Sequence, residues 1–351
     1  MYNVIMYYKF FTNSQKSWQA MFEAISIAQK SIYLEMYIFQ NDMKEFDFLK
    51  LLKEKAKKGL RVRMVLDSFG SADLSKKEIF ELRGAGVELV FLSHFLHRTH
   101  RKILIIDEEI AFIGGVNFHQ SSSLWDDLVV RVKGKLVLSI IKSFAKVYAQ
   151  CGGVDLIILG FLKHKKNNIK NKMHDWLVEH FPIKNKFNLK KTYKRHLLKA
   201  EKDIVLVTPY FMPRRWLVGV LHQAHLRGVS VDILVPRNTD HYIIDRVNYF
   251  YMCKLSKLGI NFYLEPQMNH AKVMVIDSKE GIVGSQNLDY LSFELNSEVG
   301  IFFKDIRALK QLSKIVEEWK KSAVLFDVKT YKPNIFDYIL SPIISIFNRI
   351  L

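Results

Sequence analysis

Two stretches of the chain share one pattern of histidine, lysine and aspartate, and this pattern decides the fold. The first reads HRKILIID at residues 100–107, and after six further residues comes GGVN at residues 114–117. The second reads HAKVMVID at residues 270–277, and after six further residues comes GSQN at residues 284–287. Because the order and the internal spacing are the same in both, the chain contains an internal duplication.

The duplication extends upstream of these motifs. A basic residue, a glycine and an apolar residue lead into a buried strand at residues 58–67 and again at residues 227–236, an offset of 169. The segment AGVELVF at residues 85–91 corresponds to LGINFYL at residues 258–264, an offset of 173, and the motifs themselves lie 170 residues apart. Elements that recur in one order at nearly one offset predict two structural repeats.

Each repeat alternates strands with helices. Residues 31–39 and 204–210 have the pattern of opening strands, and residues 17–30 and 45–58 have the apolar spacing of amphipathic helices. Such alternation is typical of α/β proteins. We therefore expect two pseudo-symmetric repeats, each a mixed, largely parallel sheet flanked by helices.

The same pattern divides the 351 residues into four parts. We expect a first lobe over residues 1–150, a second lobe over residues 197–325 and an apolar C-terminal tail over residues 326–351. Residues 151–196, between the lobes, hold 11 lysines and arginines but only 3 acidic residues. We interpret this segment as a basic inter-lobe insertion, with a solvated surface segment as the alternative.

The spacing inside each motif has a chemical meaning. The histidine and the lysine lie two residues apart, so on a strand their side chains point to the same face. The glycines that follow permit a close approach of backbone to a ligand, and the asparagines can donate side-chain N–H groups into the same pocket. The candidate catalytic and phosphate-binding residues are therefore His100, Lys102, Asn117, His270, Lys272 and Asn287.

This set of side chains suits a phosphodiester substrate. The lysines and asparagines can hold the non-bridging oxygens as charge develops. One histidine can attack phosphorus, while the other protonates the leaving alcohol and then deprotonates the incoming one. A nucleophilic imidazole also needs an orienting partner on its second nitrogen, and the candidates are Asp126 or Asp127, and Glu298. This chemistry requires no metal and no other cofactor.

Asp107 and Asp277 complete the two motifs and are candidate catalytic residues because of that membership. Their positions at strand ends favour a different role, in which they brace the lobe interface or a turn. The structure has to decide between these interpretations.

Composition narrows the classes of protein that the chain can belong to. Its 53 lysines and arginines against 35 acidic residues give a net charge of +18, which suits nucleic acid or an anionic membrane surface. An AT-rich genome would produce the same bias towards lysine.

Cys151 and Cys253 are too few for a disulfide framework or a cysteine-rich zinc site. No stretch reaches the roughly 18–20 apolar residues of a spanning helix, and no secretory signal is visible. The apolar residues 334–351 suit either a helix in a bilayer interface or one docked on the protein's own core.

The paired motifs resemble those of the phospholipase D superfamily, which is defined by two HxKxxxxD motifs, each with a following GxxN. Within it, the chain is most similar to bacterial cardiolipin synthases of the phospholipase D type, in the short form without N-terminal transmembrane helices. The stretches that carry this closer similarity are DSFGS at 67–71, WDD at 125–127 with RVKG at 131–134, TPYFMP at 208–213 and LNSE at 295–298.

The resemblance implies a phosphatidyltransferase that makes cardiolipin from phosphatidylglycerol, or a related phospholipid, through a covalent phosphohistidine, with His100 the favoured nucleophile. It also implies an anionic phospholipid as partner and peripheral attachment to the cytoplasmic face of a bacterial cell membrane, and it disfavours nucleic acid. Two alternatives stay open. One is a phospholipase D-type phosphodiesterase or nuclease that gives the same intermediate to water, and the other is a scaffold that only binds membrane or nucleic acid.

Overall fold

A computed structural model describes residues 7–94, 96–163, 175–184 and 186–329 of the chain. Their strands form two sheets. The strands of the first sheet are β1 (Tyr7–Asn13), β2 (Ser31–Met36), β3 (Arg61–Asp67), β4 (Glu88–Leu92), β5 (Ile103–Ile106), β6 (Ile110–Gly114) and β7 (Asp126–Lys133). They lie side by side in the order β1-β7-β6-β5-β2-β3-β4.

The second sheet repeats this arrangement and adds a short edge strand. Its strands are β8 (Trp176–His180), β9 (Asp203–Val207), β10 (Ser230–Pro236), β11 (Asn261–Glu265), β12 (Val273–Ile276), β13 (Glu280–Gly284), β14 (Glu298–Phe303) and β15 (Val324–Leu325). Their order is β15-β11-β10-β9-β12-β13-β14-β8, so the last seven positions correspond to the first sheet read from β4 to β1. The fold class is confirmed as α/β with two mixed sheets flanked by helices.

The α-helices of the described residues are α1 (Ser14–Ile27), α2 (Phe48–Lys57), α3 (Lys76–Gly84), α4 (Leu136–Gln150), α5 (Leu156–Lys163), α6 (Asn188–Leu197), α7 (Arg215–Leu226), α8 (Tyr242–Ser256) and α9 (Ile306–Ser322). Several begin where a short polar side chain accepts a hydrogen bond from the first turn, as Asn13, Asp47 and Asp305 do. Ser75 and Glu78 form a reciprocal pair at the start of α3. No helix in the described part of the chain combines the length and the apolar character needed to cross a bilayer.

Strand pairing shows that the expectation of largely parallel sheets is wrong. Parallel pairing is confined to β2-β3-β4 in the first sheet and β9-β10-β11 in the second. The strands β5, β6 and β7 form an antiparallel meander, as do β12, β13 and β14. Each meander begins with a tight hairpin whose turn residues, such as Asp107 and Glu108, have φ of 53° and 62°. Two strands joined by such a short turn have to run antiparallel.

The second lobe begins earlier than the sequence pattern indicated. Strand β8 pairs antiparallel with β14, just as β1 pairs with β7, and α6 follows β8 as α1 follows β1. Residues 176–197 therefore supply the edge strand and first helix of the second sheet rather than an insertion. Residues 164–174 of the basic segment, and residues 330–351 with most of the predicted tail, lie outside the described residues.

The two sheets share one apolar core. In β5, Ile103 and Ile105 pack into this shared core, while Leu104 and Ile106 pack under the outer helices. Because successive side chains of a strand point to opposite faces, a strand covered on both sides has to be apolar throughout. Helices α4 and α9 lie in the shared core, α1 to α3 cover the first sheet, and α6 to α8 cover the second. This packing places the two motif-bearing strands, β5 and β12, against the same core.

Candidate active site

The histidine and lysine of each motif lie immediately before β5 and β12, where loops of the two lobes meet, rather than on a strand as the spacing predicted. The backbone N–H of His100 donates to Ser297 O at 3.0 Å, and the N–H of His270 donates to Asp126 O at 2.6 Å. Thr99 and Ser297 form one isolated bridge between the lobes, and Asp126 forms the other with Asn269. Main-chain hydrogen bonds from the opposite lobe therefore fix each motif, and the structure brings both into one site.

Each of the two histidines that are candidates for catalysis contacts a carboxylate of the opposite lobe. His100 Nδ1 lies 3.0 Å from Glu298 Oε1, and His270 Nδ1 lies 2.8 Å from Asp127 Oδ2. Of the alternatives Asp126 and Asp127, the structure therefore selects Asp127. The crossing of the pairs between lobes was not predicted.

The crossed contacts determine which imidazole nitrogen is available for chemistry. A carboxylate that accepts a hydrogen bond from Nδ1–H keeps the lone pair of a neutral imidazole on Nε2. Nε2 of His100 or His270 can then act as a nucleophile or as a base. Both side chains are buried, at 8% and 5% exposed, so the ring orientation is held by packing as well as by the carboxylates.

The two carboxylates differ in proton affinity. Burial favours the protonated form of Glu298, but the charges of His100 and Lys102 outweigh it and lower the pKa of Glu298 below its ordinary value. Burial raises the pKa of Asp127 to about 7, although Lys272 and the N–H of Leu128 oppose the rise. Glu298 is therefore ionised at neutral pH, whereas Asp127 can still hold a proton there.

The same desolvation acts on the cationic groups. Burial lowers the pKa of His100, with Glu298 opposing the effect, and lowers the pKa of His270 well below its ordinary value, with Lys272 and Lys102 adding to it. Burial also lowers the pKa of Lys102 to about 7 and that of Lys272 to about 8. The site therefore holds positive charge at a cost, which an anionic ligand would offset.

The lysine and asparagine side chains are already oriented by the protein. The ammonium group of Lys102 donates to His100 O at 2.7 Å, and Lys272 donates in the same way to His270 O. Asn117 Oδ1 accepts from the N–H of Ile38 at 3.2 Å. These contacts hold each ammonium at the main-chain carbonyl of its own motif histidine, and the predicted role of the lysines in binding phosphate stays a prediction.

The second asparagine has a different environment. The side chain of Asn287 hydrogen bonds to Asp289, whose pKa burial raises to about 6. Its backbone N–H donates to Ser292 Oγ at 2.9 Å. Its Oδ1 is buried and, among the described residues, has no hydrogen-bond partner. The role of both asparagines in binding phosphate stays a prediction.

The space beside the glycines after each motif is filled by groups of the protein: a carboxylate beside Gly115, and main-chain carbonyls beside Gly114 and Gly284. A Cβ on Gly115 would lie 2.2 Å from Asp127 Oδ1, and a Cβ on Gly114 would lie 2.1 Å from Leu128 O. In the second lobe Ser285 stands at the position of Gly115, and its hydroxyl donates to Glu298. The expectation that these residues admit a ligand is corrected on this point.

Some site residues were quoted in the sequence patterns but given no role, and others were missed. Ser292 Oγ donates to Glu298 Oε1 at 2.8 Å and so helps to orient the carboxylate beside His100. The His100 ring meets the Tyr37 ring edge-on at 5.0 Å, and the rings of Trp125 and Tyr210 lie 5.4 Å and 6.1 Å from that of His270. Trp125 and Tyr210 belong to the stretches WDD and TPYFMP, which was a usable signal.

The motif aspartates follow the last residues of β5 and β12, whereas the histidines precede the first residues. Each of these strands has 4 residues. At the ordinary strand rise of about 3.3 Å per residue, the aspartates are therefore about 13 Å or more from the histidines. The Asp107 carboxylate accepts the backbone N–H groups of Gln29, Lys30 and Ser31. Asp277 accepts those of residues 201–203, which lower its pKa although burial opposes them. The structure therefore corrects the assignment of Asp107 and Asp277 as catalytic and supports their role in bracing a turn.

Comparison with known proteins gives one consistent result. The family model described as "Cardiolipin synthase, PLD-like domain" matches residues 21–150 and 193–319. A probable cardiolipin synthase of Bacillus subtilis is 28% identical over 98% of this chain and 72% of its own length. A cardiolipin synthase of Geobacillus sp. is 30% identical over 92% of this chain and 67% of its own length. The chain thus spans about two thirds of the length of these relatives.

Solved structures show the same fold at lower sequence identity. Phosphatidylserine synthase of Haemophilus influenzae superposes with a TM-score of 0.76 at 15% identity, covering 98% of this chain and 94% of that protein. Polyphosphate kinase of Porphyromonas gingivalis gives a TM-score of 0.64 at 12% identity, covering 99% of this chain and 53% of that protein. At these identities the likeness establishes the fold alone.

Proposed function

The chain belongs to the cardiolipin synthase family of phospholipase D-like proteins, and on that premise we propose that it makes cardiolipin from phosphatidylglycerol or a related phospholipid. It is an enzyme of the phosphatidyltransferase type. The observation that carries the proposal is the crossed pairing of His100 with Glu298 and of His270 with Asp127. Two oriented imidazoles in one site are what a double displacement at phosphorus needs.

In the first step, Nε2 of His100 attacks the phosphorus of the donor lipid. A P–N bond forms, the P–O bond to the leaving glycerol breaks, and His270 gives its proton to that oxygen. The ionised Glu298 favours His100 as nucleophile, because it stabilises the positive charge that develops on the attacking imidazole. The phosphate's own charge raises the pKa of His270 when substrate binds, and Asp127 can hold a proton near neutral pH.

In the second step the roles reverse. His270 takes the proton of an acceptor hydroxyl, whose oxygen attacks phosphorus, and the P–N bond to His100 breaks. One phosphodiester replaces another, so the transfer needs no external energy source. When the acceptor is the glycerol head group of a second lipid, the product is cardiolipin.

Lys102 and Lys272 neutralise the non-bridging oxygens in both steps, with Asn117 and Asn287 as further donors. Preorganised donors of this kind typically contribute about 10²–10³-fold each to the rate. Because the site is buried, these charges act in a medium of low polarity, where they stabilise a phosphorane-like transition state more than water would.

Transfer to a lipid hydroxyl competes with transfer to water. The rings of Trp125 and Tyr210 stand beside His270 and give the acceptor side an apolar wall, which favours a lipid acceptor. The test is to incubate the purified protein with labelled phosphatidylglycerol and to resolve the lipid products. We expect cardiolipin with release of glycerol. Phosphatidic acid as the main product would instead make the protein a phospholipase D-type hydrolase, and an unchanged lipid would reject the proposal.

We further propose that the protein acts at the cytoplasmic face of a bacterial membrane as a peripheral protein. The apolar residues 334–351 supply a hydrophobic contribution and the net charge of +18 a salt-sensitive one. Deleting residues 334–351 should weaken sedimentation with phosphatidylglycerol vesicles. Undiminished sedimentation would reject the tail as a membrane contact, and loss of the folded state would instead make it a structural element.

A further inference from the structure

Exposed apolar side chains lie at the end of the two sheets where the motif histidines lie. They lie in loops, at the start of α8 and in the turn Leu291–Leu295, all at the histidine end of the strands, and we call them the apolar rim: Phe69, Leu96, Leu124, Tyr242, Ile243 and Leu291. Leu124 is 86% exposed and Phe69 is 65% exposed. A single exposed apolar residue needs no explanation, but several around one opening indicate an interaction surface.

Short chains of contacts connect the rim with His270. Leu124 precedes Trp125, whose ring lies 5.4 Å from the His270 ring. The Tyr210 ring lies 6.1 Å from His270, and its hydroxyl donates to Asp240 at 2.6 Å, in the loop that leads into α8. The exposed residues at the start of α8 therefore border the same opening as Leu124.

Other contacts connect the rim with the site around His100. The N–H of Phe69 donates to Asp67 Oδ1, and Asp67 Oδ2 accepts from the N–H of Thr99, which directly precedes the histidine. Leu291 begins the π-helical turn Leu291–Leu295, in which Ser292 donates to the carboxylate that holds the histidine. Both lobes thus contribute apolar tips to one ring around the shared site.

Positive charge accompanies these apolar tips. The Arg98 guanidinium lies 4.6 Å from the Phe69 ring centre, and the Arg214 guanidinium lies 5.0 Å from that of Tyr290, next to Leu291. Acidic residues near these tips already have partners in the protein: Asp73 and Asp240 accept hydrogen bonds, and Glu294 pairs with Lys190. The rim therefore combines apolar tips with guanidinium groups, of which that of Arg98 also donates to His94 O. This combination complements an anionic lipid surface.

We propose that the apolar rim inserts into the surface of an anionic phospholipid bilayer, with Arg98 and Arg214 against head-group phosphates, so that the active site opens onto the membrane. The inference rests on the proposed function, because a phosphatidyl group reaches buried histidines most readily when its acyl chains stay in the bilayer. The rim is a ring of separate loop tips around an opening, and a bilayer can fit around such a ring without matching its shape.

The opposite end of the molecule offers a matched control. Leu226, at the end of α7, is 70% exposed. The adjacent Arg227 donates to Ala200 O, next to the backbone that Asp277 braces, so Leu226 lies at the end away from the site. A leucine of similar exposure there should stay in water when the rim meets lipid.

The test places an environment-sensitive fluorophore on single cysteines in the full chain, with Cys151 and Cys253 replaced by serine. Leu124→Cys carries the probe on the rim, and Leu226→Cys carries it on the control surface. On addition of phosphatidylglycerol vesicles we expect a blue shift of the emission at 124 and none at 226. Leu124→Ser should also lower the ratio of turnover on vesicles to turnover on a short-chain, monomeric phosphatidylglycerol by about tenfold, and Leu226→Ser should leave that ratio unchanged.

The outcomes separate the rim from the proposed function. Equal shifts of the emission at 124 and 226 would refute the insertion of the rim into the bilayer. No shift at 124 while the protein sediments with vesicles would refute it as well. A shift at 124 that depends on protein concentration without lipid would also overturn it, in favour of a second copy of the chain. If the emission at 124 shifts but phosphatidylglycerol is not converted, insertion of the rim is supported and the proposed function is rejected. If cardiolipin forms with no shift at 124, the proposed function is supported and insertion of the rim is rejected.

Discussion

The first prediction concerns Asp107, which the motif places among the catalytic residues and the structure places in a turn. Its carboxylate accepts the N–H groups of Gln29, Lys30 and Ser31 at 2.9, 2.6 and 2.9 Å, and its own φ is 53°. Asp107 therefore stabilises the turn in two ways: it accepts backbone hydrogen bonds, and it adopts a left-handed conformation. Different substitutions at this position separate these two contributions to stability.

The expected losses follow from those two contributions. Hydrogen bonds to a charged acceptor contribute about 1.5–3 kcal/mol each when buried, but water can reach the N–H groups of Gln29 and Lys30, so Asp107→Gly should cost about 2–4 kcal/mol in total. Asp107→Ala should cost about 1–2 kcal/mol more, because its Cβ disfavours the left-handed conformation. Asp107→Asn keeps an acceptor oxygen and tolerates positive φ, and it should cost only about 1 kcal/mol.

The assay is urea unfolding of each variant, together with turnover of a soluble phosphodiester at a temperature where all variants are folded. We expect unfolding midpoints in the order wild type, Asn, Gly, Ala, with turnover per folded molecule within about twofold of wild type. The matched control is Glu109→Ala, which removes an exposed charge from the same turn and should change neither quantity. A hundredfold loss of turnover in Asp107→Asn with an unchanged midpoint would refute the structural role.

Three further predictions follow from the site and its surroundings. Because burial lowers the pKa of Lys102 to about 7 and that of Lys272 to about 8, these side chains lose their charge as the pH rises, Lys102 first, so kcat/KM should fall from about pH 7 upwards, and Lys102→Arg should move the start of the fall towards pH 8; a pH profile that is flat to pH 9 would contradict this. Arg101 is fully buried and pairs with Glu35 at 3.2 Å, so Arg101→Ala alone should cost about 3–5 kcal/mol in urea unfolding by leaving a buried charge unpaired. The double variant Glu35→Val with Arg101→Ala copies the equivalent positions of the second lobe and should recover at least about half of that loss, and strictly additive losses would contradict the pairing.

Much of the site could be predicted from the sequence because the spacing of each motif is local. His100 and Lys102 lie two residues apart, and this short separation keeps the ammonium close to the histidine, where it contacts the main-chain carbonyl. The orienting carboxylates were only partly predictable. Asp126 and Asp127 are neighbours on a strand and point to opposite faces, so the choice between them depends on how β7 faces the other lobe. The crossing of the pairs depends wholly on the docking of the lobes, which no spacing within one repeat encodes.

The errors in the fold also have physical causes. The hairpins β5–β6 and β12–β13 turn through Asp107-Glu108 and Asp277-Ser278, with positive φ but without the glycine that usually marks such turns. The antiparallel meanders were therefore not recognised. The early start of the second lobe was missed because β8 and α6 keep the position of β1 and α1 but share no sequence motif with them.

The central claim is that His100 forms the covalent intermediate and His270 serves as its acid and base. A phosphodiester with a p-nitrophenol leaving group tests it most directly, because so acidic an alcohol leaves without protonation. We expect His270→Ala to release one equivalent of nitrophenol in a burst and then stall, with the phosphoryl group on His100, and His100→Ala to give no burst. A burst from His100→Ala with the group on His270 would reverse the assignment, and steady turnover by either variant would contradict the mechanism.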